Sequence, residues 1–223
     1  MSKKNNVWAI MPAYNEEKRI GKVLESLLKK VENVVVVDDG SSDGTYEEAG
    51  NWPVHILRHP VNLGKGAALK TGCEYAVSQN ADVLVFIDAD GQHHPEEIDN
   101  LLREIKEGKD IVFGVRKFDK NMPAILKLGN KIISSVMRFL YRINIKDTQS
   151  GFRCMTRKAY ERIRWKSTDY SVESEMIARA GKEGLKYGEV TIKTLYSDKY
   201  KGTTVIDGIK IVADLVWWRI KRI

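Results

Sequence analysis

The sequence contains little that would place it in several large classes of protein. Only two of its 223 residues are cysteines. Cys73 and Cys154 lack the spacing of metal ligands, which predicts reduced, partly buried thiols. No apolar run approaches the roughly 18–20 residues of a membrane-spanning helix. The apolar run at 7–11 is too short for a signal peptide, which predicts a cytoplasmic protein.

Acidic residues are the minority among the charged ones. The chain has 37 basic and 30 acidic residues, a net charge of +7, so an anionic partner is expected: nucleic acid, anionic lipid or a phosphorylated small molecule. Zinc-finger, RNA-recognition and helix-turn-helix patterns are missing, which argues against nucleic acid. The sequence also lacks low-complexity tracts, repeats and Pro- or Ser-rich linkers. We therefore expect one domain over residues 1–223.

Strand and helix patterns alternate through the first half of the chain. Buried-type apolar runs lie at 7–11, 34–37, 54–57, 83–87 and 111–115. Helical patterns lie between them at 18–31, 41–49, 64–78 and 95–106. This alternation predicts an α/β fold with a doubly wound, mostly parallel sheet. Ligands of such sheets bind at the carboxyl ends of the strands.

Polar motifs follow the first three predicted strands. They are "PAYNE" (12–16), "DDGSSDGT" (38–45) and "RHPVNLGKGAALKTG" (58–72). The glycines of the third motif let backbone amides approach a phosphate, Lys65 adds a positive charge, and a helix begins there with its positive end available. The alternative is a helix cap with a solvated lysine, since neither the P-loop nor the dinucleotide spacing is present.

The fourth predicted strand ends in "DADGQHHPEE" (88–97). Asp88 and Asp90 point the same way in an extended segment, and Ala89 leaves that side open. Two close carboxylates repel unless a cation lies between them. Oxygen ligands favour Mg²⁺ or Mn²⁺, with Gln92 as a third donor. The alternative is a pair of helix-capping aspartates; the two histidines that follow are left out of the metal set.

These motifs together resemble the family 2 glycosyltransferases with the GT-A fold. The resemblance rests on "PAYNE", "VVDDGSSDGT", "NLGKGAALKTG", "DADGQHHPEE" and "DTQSGFRCMTR" (147–157). The last motif and the "DADGQ" variant look like the polyprenyl-phosphate branch, which includes dolichyl-phosphate mannose and glucose synthases. The resemblance implies a nucleotide-sugar-binding half at 1–116 and an acceptor half at 117–223.

The resemblance also implies roles for individual residues. Nucleoside contacts fall to Pro12, Tyr14, Glu16 and Asp39, and we add Lys65 to the nucleotide-binding set. The metal and diphosphate site falls to Asp88, Asp90 and Gln92. Within "SVESEM" (171–176), Glu175 would face the donor sugar. We count Asp88, Asp90 and Glu175 as the catalytic set.

The acceptor phosphate would meet basic residues of the second half and of the fifth strand. Arg116 matches a family position near that phosphate, and Lys127, Lys131 and Lys199 complete our predicted set. Where the family often has an arginine before "GxS", this chain reads "KYKGTT" (199–204), so Lys199 and Thr204 are approximate equivalents. Many relatives append transmembrane helices. Here we expect surface helices or a membrane-spanning partner subunit to provide the anchor.

Residues 124–142 form a predicted amphipathic helix. Lys127, Lys131, Arg138 and Arg142 fall in one sector, opposite an apolar sector of Leu128, Ile132, Val136, Phe139 and Leu140. Such a helix suits a membrane interface that carries lipid phosphate; the alternative is an ordinary helix packed on the sheet.

The C-terminal segment is a second amphipathic candidate. Trp217 and Trp218 lie beside Arg219, Lys221 and Arg222. This pattern suits an interfacial anchor, a helix that docks on a partner subunit, or one that packs on the domain itself.

The predicted function is inverting transfer of a hexose from a nucleotide sugar to a polyprenyl (dolichyl-type) phosphate at the cytoplasmic membrane face. GDP-mannose is the first choice of donor, followed by UDP-glucose or UDP-N-acetylglucosamine. Three alternatives stay open: transfer to a sugar hydroxyl of a glycan, a dehalogenase-like phosphatase, and a non-catalytic nucleotide-binding subunit. The phosphatase would place its Asp-x-Asp pair after the first strand, where this chain has "PAYNE".

Overall fold

The apolar run that begins at Val7 forms an inner strand of a seven-stranded sheet in the computed structural model. The strands are β1 (Val7–Ala13), β2 (Asn33–Asp38), β3 (His55–Arg58), β4 (Val83–Phe86), β5 (Ile111–Arg116), β6 (Arg153–Thr156) and β7 (Tyr187–Ile192). The helices are α1 (Glu17–Leu27), α2 (Thr45–Gly50), α3 (Lys65–Ser78), α4 (Ile98–Lys106), α5 (Ala124–Tyr141), α6 (Arg157–Ile163), α7 (Val172–Lys182) and α8 (Val205–Ile220). A 3₁₀ turn at Pro95–Glu97 leads into α4. The structure describes residues 5–117, 124–193 and 205–221, with side chains from residue 128 in α5 and from residue 208 in α8.

The strand order is β3-β2-β1-β4-β6-β5-β7. Strand β6 runs antiparallel to β4 and β5, and the other strand pairs are parallel. The predicted mostly parallel α/β sheet is therefore confirmed. The chain steps outward from β1 to β3 and then returns to β4, so the direction of winding reverses between β1 and β4. At such a switch point the carboxyl ends of the strands leave a crevice.

The sheet is buried on both faces, as continuous apolar strands require. Ile10 packs with Val35 and Phe86 on one face, against α3, α5, α7 and α8. The neighbouring residue Met11 packs on the other face with side chains of α1 and α4. Each fully buried aliphatic or aromatic side chain contributes about 1.5–3 kcal/mol. These two layers fix the sheet and therefore the positions of the strand ends. The two cysteines are free and fully buried, whereas the sequence analysis expected partly buried thiols.

Strand β6 was not predicted, and it carries a buried arginine. The Arg153 guanidinium donates to the carbonyl oxygens of Ser150, Thr148 and Glu173 at 2.8, 3.1 and 2.6 Å. Burial lowers the pKa of Arg153 to about 10, against the carboxylates around it. Arg153 thus fixes the 147–151 loop against the start of α7.

Helices α5 and α8 pack on each other at one side of the sheet. The Tyr141 hydroxyl donates to the Leu215 carbonyl at 2.6 Å, and Ile133, Met137 and Ile211 are buried with them. Among the described residues, none of the helices combines the length and the apolar character that crossing a bilayer requires.

Candidate active site

A cavity of about 500 Å³ opens at the switch point, along the carboxyl edge of the sheet. The predicted site residues that line it are Pro12, Tyr14, Glu16, Asp39, Lys65, Asp88, Asp90, Gln92 and Arg116. The fold therefore brings together predicted residues from five separate segments of the chain. Lining residues that the prediction missed include His93, Gln149, Ser150, Gly151, Asp169 and Glu173.

The two carboxylates after β4 differ in their surroundings. Burial works to raise the pKa of Asp88, but the Lys65 ammonium outweighs it and holds that pKa below its ordinary value. Burial, together with the negative charge of Asp88, raises the pKa of Asp90 to about 6. Asp90 also accepts a hydrogen bond from the Gln92 amide at 2.9 Å. The pair therefore holds more negative charge than its neighbouring cations offset.

Lys65 lies between two carboxylates in the centre of the cavity. Its ammonium is 2.7 Å from Asp88 Oδ1 and 2.7 Å from Glu173 Oε1. Burial opposes the charged form, yet the two carboxylates raise the pKa of Lys65 above its ordinary value. Lys65 is thus a fixed cation, and the alternative of a solvated lysine is wrong.

The start of α3 differs from the prediction. The Thr168 carbonyl accepts from the backbone N–H groups of Gly66 and Ala67 at 2.6 and 3.2 Å. The preceding N–H groups of Leu63 and Gly64 donate to Asp39 at 3.0 and 2.8 Å. These amides are already bound within the chain, so the expectation of an open helix terminus for phosphate is wrong at these four positions. A loop about one hundred positions away in sequence occupies the terminus, and no local pattern encodes it.

Asp39 belongs to a buried polar group. His59 Nδ1 lies 2.7 Å from Asp39 Oδ1, and His59 Nε2 lies 3.0 Å from the Thr71 hydroxyl. Because an ionised carboxylate only accepts, Nδ1 donates to Asp39; in the neutral ring Nε2 then accepts from the Thr71 hydroxyl. The group fixes the 59–64 loop at the wall of the cavity beside Tyr14, whose ring is 46% exposed.

Arg116 marks the opposite end of the cavity. Its side chain donates to both oxygens of Asp147, at 2.7 and 2.9 Å, and its backbone N–H donates to the same carboxylate. Asp147 is the first residue of the "DTQSG" motif, so this ion pair places the motif next to the carboxyl end of β5. The paired geometry fixes the position of the guanidinium.

Glu175 does not face the cavity, which corrects the prediction. It is 1% exposed, accepts from the backbone N–H groups of Lys166 and Ser167 at 2.7–3.1 Å, and pairs with Arg179 at 2.6 Å. Two residues earlier, Glu173 lines the cavity and pairs with Lys65. Residues two apart on a helix point about 200° away from each other. Packing therefore selects which glutamate reaches the site.

His93 is a lining residue that the sequence argument set aside. Its ring stacks on Phe152 at 5.3 Å between centroids. Burial lowers the pKa of His93 to about 4, so the ring is neutral at physiological pH. Within the described residues, His93 Nδ1 is buried without a hydrogen-bond partner. The spacing after Asp90 gave no sign of this environment.

The predicted basic residues of α5 lie outside the cavity. Lys131 and Arg138 are exposed on α5, and Arg142 is exposed directly after it, so Lys131 is not placed to contact a phosphate in the cavity. The side chain of Lys127, together with Lys199, Thr204 and Arg222, falls outside the described residues.

Three of the five residues in the apolar sector predicted for α5 are exposed, and the other two, Val136 and Leu140, are partly buried against the core. Leu128, Ile132 and Phe139 are 54%, 49% and 85% exposed. The helix packs inward through Asn130, Ile133, Met137 and Tyr141 instead. Exposed apolar side chains on α8 are Ile209, Val216, Trp217 and Ile220. We call these seven apolar residues, with Lys131, Arg138, Arg142, Arg219 and Lys221, the α5–α8 face.

The side chains around Asp88 and Asp90 fit a hard divalent cation. Carboxylate and amide oxygens are ligands that Mg²⁺ and Mn²⁺ accept. The pKa of Asp90 is raised first by burial and then by the negative charge of Asp88, and a bound cation would offset both effects. Among the described residues, no group of three or more His, Cys, Asp or Glu side chains forms a ready ligand set. The remaining ligands would come from water and from substrate phosphates.

The fold and the cavity define a glycosyltransferase with the GT-A architecture. Residues 8–164 match the family model described as Glycosyl transferase family 2. This match covers well over half of the chain. The chain belongs to glycosyl transferase family 2.

Several relatives carry names that describe an activity, and two of them illustrate the range. One is UDP-N-acetylglucosamine--dolichyl-phosphate N-acetylglucosaminyltransferase of Methanococcus voltae, 35% identical, with 97% of each chain covered. Another is polyprenol monophosphomannose synthase of Mycolicibacterium smegmatis, 30% identical, with 91% of this chain and 81% of that one covered.

A solved structure supports the fold. Glucosyl-3-phosphoglycerate synthase of Mycobacterium tuberculosis, in complex with Mn²⁺, UDP-glucose and phosphoglyceric acid, superimposes with a TM-score of 0.77 at 20% identity. The match covers 96% of this chain and 80% of that one.

Proposed function

We propose that the protein transfers a hexose from a nucleotide sugar to a polyprenyl phosphate, with inversion at the anomeric carbon. The observation that carries this proposal is the polarity of one cavity. Its centre holds the Asp88–Asp90 pair, which calls for a cation, and one end holds the guanidinium of Arg116. Two anionic substrates can therefore meet in it.

The donor would lie across the switch point, with its diphosphate near the Asp88–Asp90 pair. Asp88, Asp90 and Gln92 would hold Mg²⁺ or Mn²⁺, which when bound neutralises charge on the departing diphosphate. Lys65 adds a positive charge supplied by the chain itself. Glu173 replaces Glu175 as the carboxylate next to the donor sugar, because it lines the cavity.

The acceptor would lie at the Arg116 end. A phosphate monoester has a second pKa of roughly 6, so it is already an anionic nucleophile at neutral pH. It has no proton that must leave during attack, whereas a sugar hydroxyl needs a general base. Arg116, fixed by Asp147, would orient the attacking oxygen towards the anomeric carbon from the face opposite the diphosphate.

The α5–α8 face supports a lipid-borne acceptor. Its exposed apolar side chains suit burial in the surface of a bilayer, and its exposed basic side chains suit anionic headgroups. Both helices also reach the rim of the cavity. Asn130 of α5 bonds the backbone of Lys146 and Thr148, next to Asp147, and Lys210 of α8 pairs with Asp169 at 2.6 Å.

The names of the two relatives agree with this acceptor class. Both name a dolichyl or polyprenyl phosphate product or substrate, while their sugars differ. The proposal also includes the use of a nucleotide hexose as donor and peripheral attachment to the cytoplasmic membrane face. It further includes the assignment of residues 1–223 to one domain.

Transfer assays test the proposal directly. Purified protein would be incubated with radiolabelled nucleotide hexoses, Mg²⁺ or Mn²⁺, and either a short polyprenyl phosphate or an oligosaccharide. Label that enters the lipid phosphate as a β-linked product from an α-linked donor is the expected result. Label in the oligosaccharide alone would favour a hydroxyl acceptor, and binding without turnover would favour a non-catalytic subunit.

A further inference from the structure

Asp39 and Arg116 line opposite ends of the cavity. Asp39 follows β2, whereas Arg116 ends β5, and β1, β4 and β6 separate these strands. The acceptor phosphate belongs at the Arg116 end, because a guanidinium attracts an anionic group and the Asp39 carboxylate repels it. With the diphosphate near Asp88 and Asp90, the nucleoside has the Asp39 end to occupy. The exposed ring of Tyr14 lines the same end.

Most of the accepting capacity of Asp39 is already used inside the chain. An ionised carboxylate offers about four lone-pair positions, two on each oxygen. Oδ1 accepts from His59 Nδ1 at 2.7 Å and from the Leu63 N–H at 3.0 Å. Oδ2 accepts from the Gly64 N–H at 2.8 Å. Among the described residues these bonds fill Oδ1 and leave one position on Oδ2.

The bonds on Oδ1 are not easily given up. His59 is buried and is anchored at its other nitrogen by the Thr71 hydroxyl at 3.0 Å. Leu63 is fixed because the next residue, Gly64, has φ of 94° and lies against the Thr168 carbonyl. Displacing either donor would leave a buried polar group unpaired.

We infer that this cavity selects a uracil base, or thymine with the same imino edge, over guanine, and so takes a UDP-hexose rather than a GDP-hexose. Uracil presents one N–H between two carbonyl groups, which matches the single open position on Asp39. Guanine presents two adjacent N–H donors, which need both carboxylate oxygens. The inference rests on the proposed function for the presence of a nucleotide, and it reverses the sequence-based preference for GDP-mannose.

Nucleotide binding by the full chain tests the inference. Titration calorimetry with UDP, CDP and GDP in Mn²⁺ should give UDP the highest affinity, roughly tenfold or more above the other two, because each of those leaves a polar group facing Asp39 unpaired or opposed. CDP controls for size, since cytosine has an acceptor where uracil has the imino N–H. GDP binding as tightly as UDP, or CDP binding equal to UDP, would overturn the inference. Equal binding would leave the transferase proposal standing, whereas no binding of any nucleotide would remove both.

A variant locates the selectivity. His59→Phe opens a second position on Asp39, so the UDP-to-GDP affinity ratio should fall by about tenfold. Thr71→Val removes the anchor of His59 but keeps its bond to Asp39, and its ratio should stay near that of the wild type. An unchanged ratio in a folded His59→Phe protein would overturn the role given to Asp39. If that variant does not fold, the wild-type ratios alone decide.

Discussion

Lys65 Nζ lies 2.7 Å from Oδ1 of Asp88, so the chain itself supplies a cation to the carboxylate that follows β4. The same ammonium contacts Glu173, and it therefore links the carboxylate after β4 to the first turn of α7. Because these three side chains are largely buried, each depends on the charge of the others.

Replacing Lys65 should expose this dependence. Lys65→Met leaves two buried carboxylates without their shared cation, and we expect a loss of about 3–5 kcal/mol in the free energy of unfolding at pH 7. Adding Glu173→Gln should restore part of the stability but not the activity. Urea unfolding measures the effect, with Lys70→Met on the exposed side of α3 as the control.

Lys65→Met should also change how the free energy of unfolding depends on pH. In the wild type, the lowered pKa of Asp88 contributes stability above pH 4, which is lost as the pH falls through that lowered pKa. In Lys65→Met, the unpaired carboxylates should have raised pKa values, so acidification towards pH 5 should reduce the deficit. A deficit that is independent of pH would contradict this account.

Asp90→Asn should separate stability from catalysis. The pKa of Asp90 is raised to about 6, so its charged form destabilises the fold above that pH, and the penalty disappears as the pH falls towards 4. Without divalent ions the variant should unfold at the same temperature as the wild type at pH 7.5, or a few degrees higher. Its transfer rate should fall at least about a hundredfold.

Chelation of the wild type should reproduce the loss of activity, and Mg²⁺ or Mn²⁺ should restore it. Asp99→Asn, in an exposed pair with Lys30, is the matched control. Full activity in the chelated enzyme would remove the metal from the proposal.

Glu173 and Glu175 should behave differently when changed to glutamine. Glu175→Gln removes an acceptor from the backbone of Lys166 or Ser167, and we expect a loss of about 1–3 kcal/mol in stability with slowed but measurable transfer. Glu173→Gln should impair donor use more than it impairs folding.

Acidification provides a second readout for Glu175. Burial opposes its ionisation, but the bonds from Ser167, Arg179 and Lys166 keep its pKa below its ordinary value. The stability that it contributes is present above pH 4.5 and is lost as the pH falls through the lowered pKa; the glutamine variant should lack this loss. Abolished transfer in Glu175→Gln that azide or formate rescues would instead identify a general base.

Gly151 leaves room for the central ion pairs. A Cβ atom there would lie 2.6 Å from Asp88 Oδ2 and 2.8 Å from Lys65 Nζ. The added methyl group would therefore displace the Asp88–Lys65 ion pair, and we expect Gly151→Ala to fold while losing most of its activity. Gly129→Ala on α5 meets nothing within 4 Å. It should gain about 0.5–1 kcal/mol of stability and keep full activity, and equal behaviour of the two variants would contradict the prediction.

The α5–α8 face should bind anionic bilayers. Changing Lys131, Arg138 and Arg142 to Gln removes about 1 kcal/mol of attraction per residue, so partitioning onto phosphatidylserine vesicles should weaken by about a hundredfold. Nucleotide binding should be unchanged. The matched control changes Lys18 and Lys22 on α1 and Lys29 just after it, which are equally basic and exposed. Equal losses in the two triple variants would reduce the effect to net charge.

Local sequence patterns were enough to predict the parallel strands of the first half of the chain and the polar residues at their ends. Strands such as β1 and β2 are continuous apolar runs, and the side chains at their ends must meet because parallel strands share a carboxyl edge. Strand β6 has four residues and includes a buried arginine, so its sequence carries no comparable signal.

The remaining differences have non-local causes. Whether Glu173 or Glu175 reaches the cavity depends on how α7 is rotated, and the α3 terminus is occupied by Thr168 from a distant loop. The inward face of α5 is likewise chosen by its contact with α8, which the periodicity of α5 alone does not encode.

The loop around Thr168, which covers the start of α3, has a consequence for folding during synthesis. Trp165 donates to the Gly66 carbonyl across 99 positions of sequence, so the proposed nucleotide pocket is completed by residues that leave the ribosome long after β1 to β4. A nascent chain that ends near residue 116 would lack both the loop that contains Trp165 and Thr168 and the Arg116–Asp147 ion pair. The pocket therefore becomes complete only after α7 has been added, and a growing chain should not retain nucleotide before then.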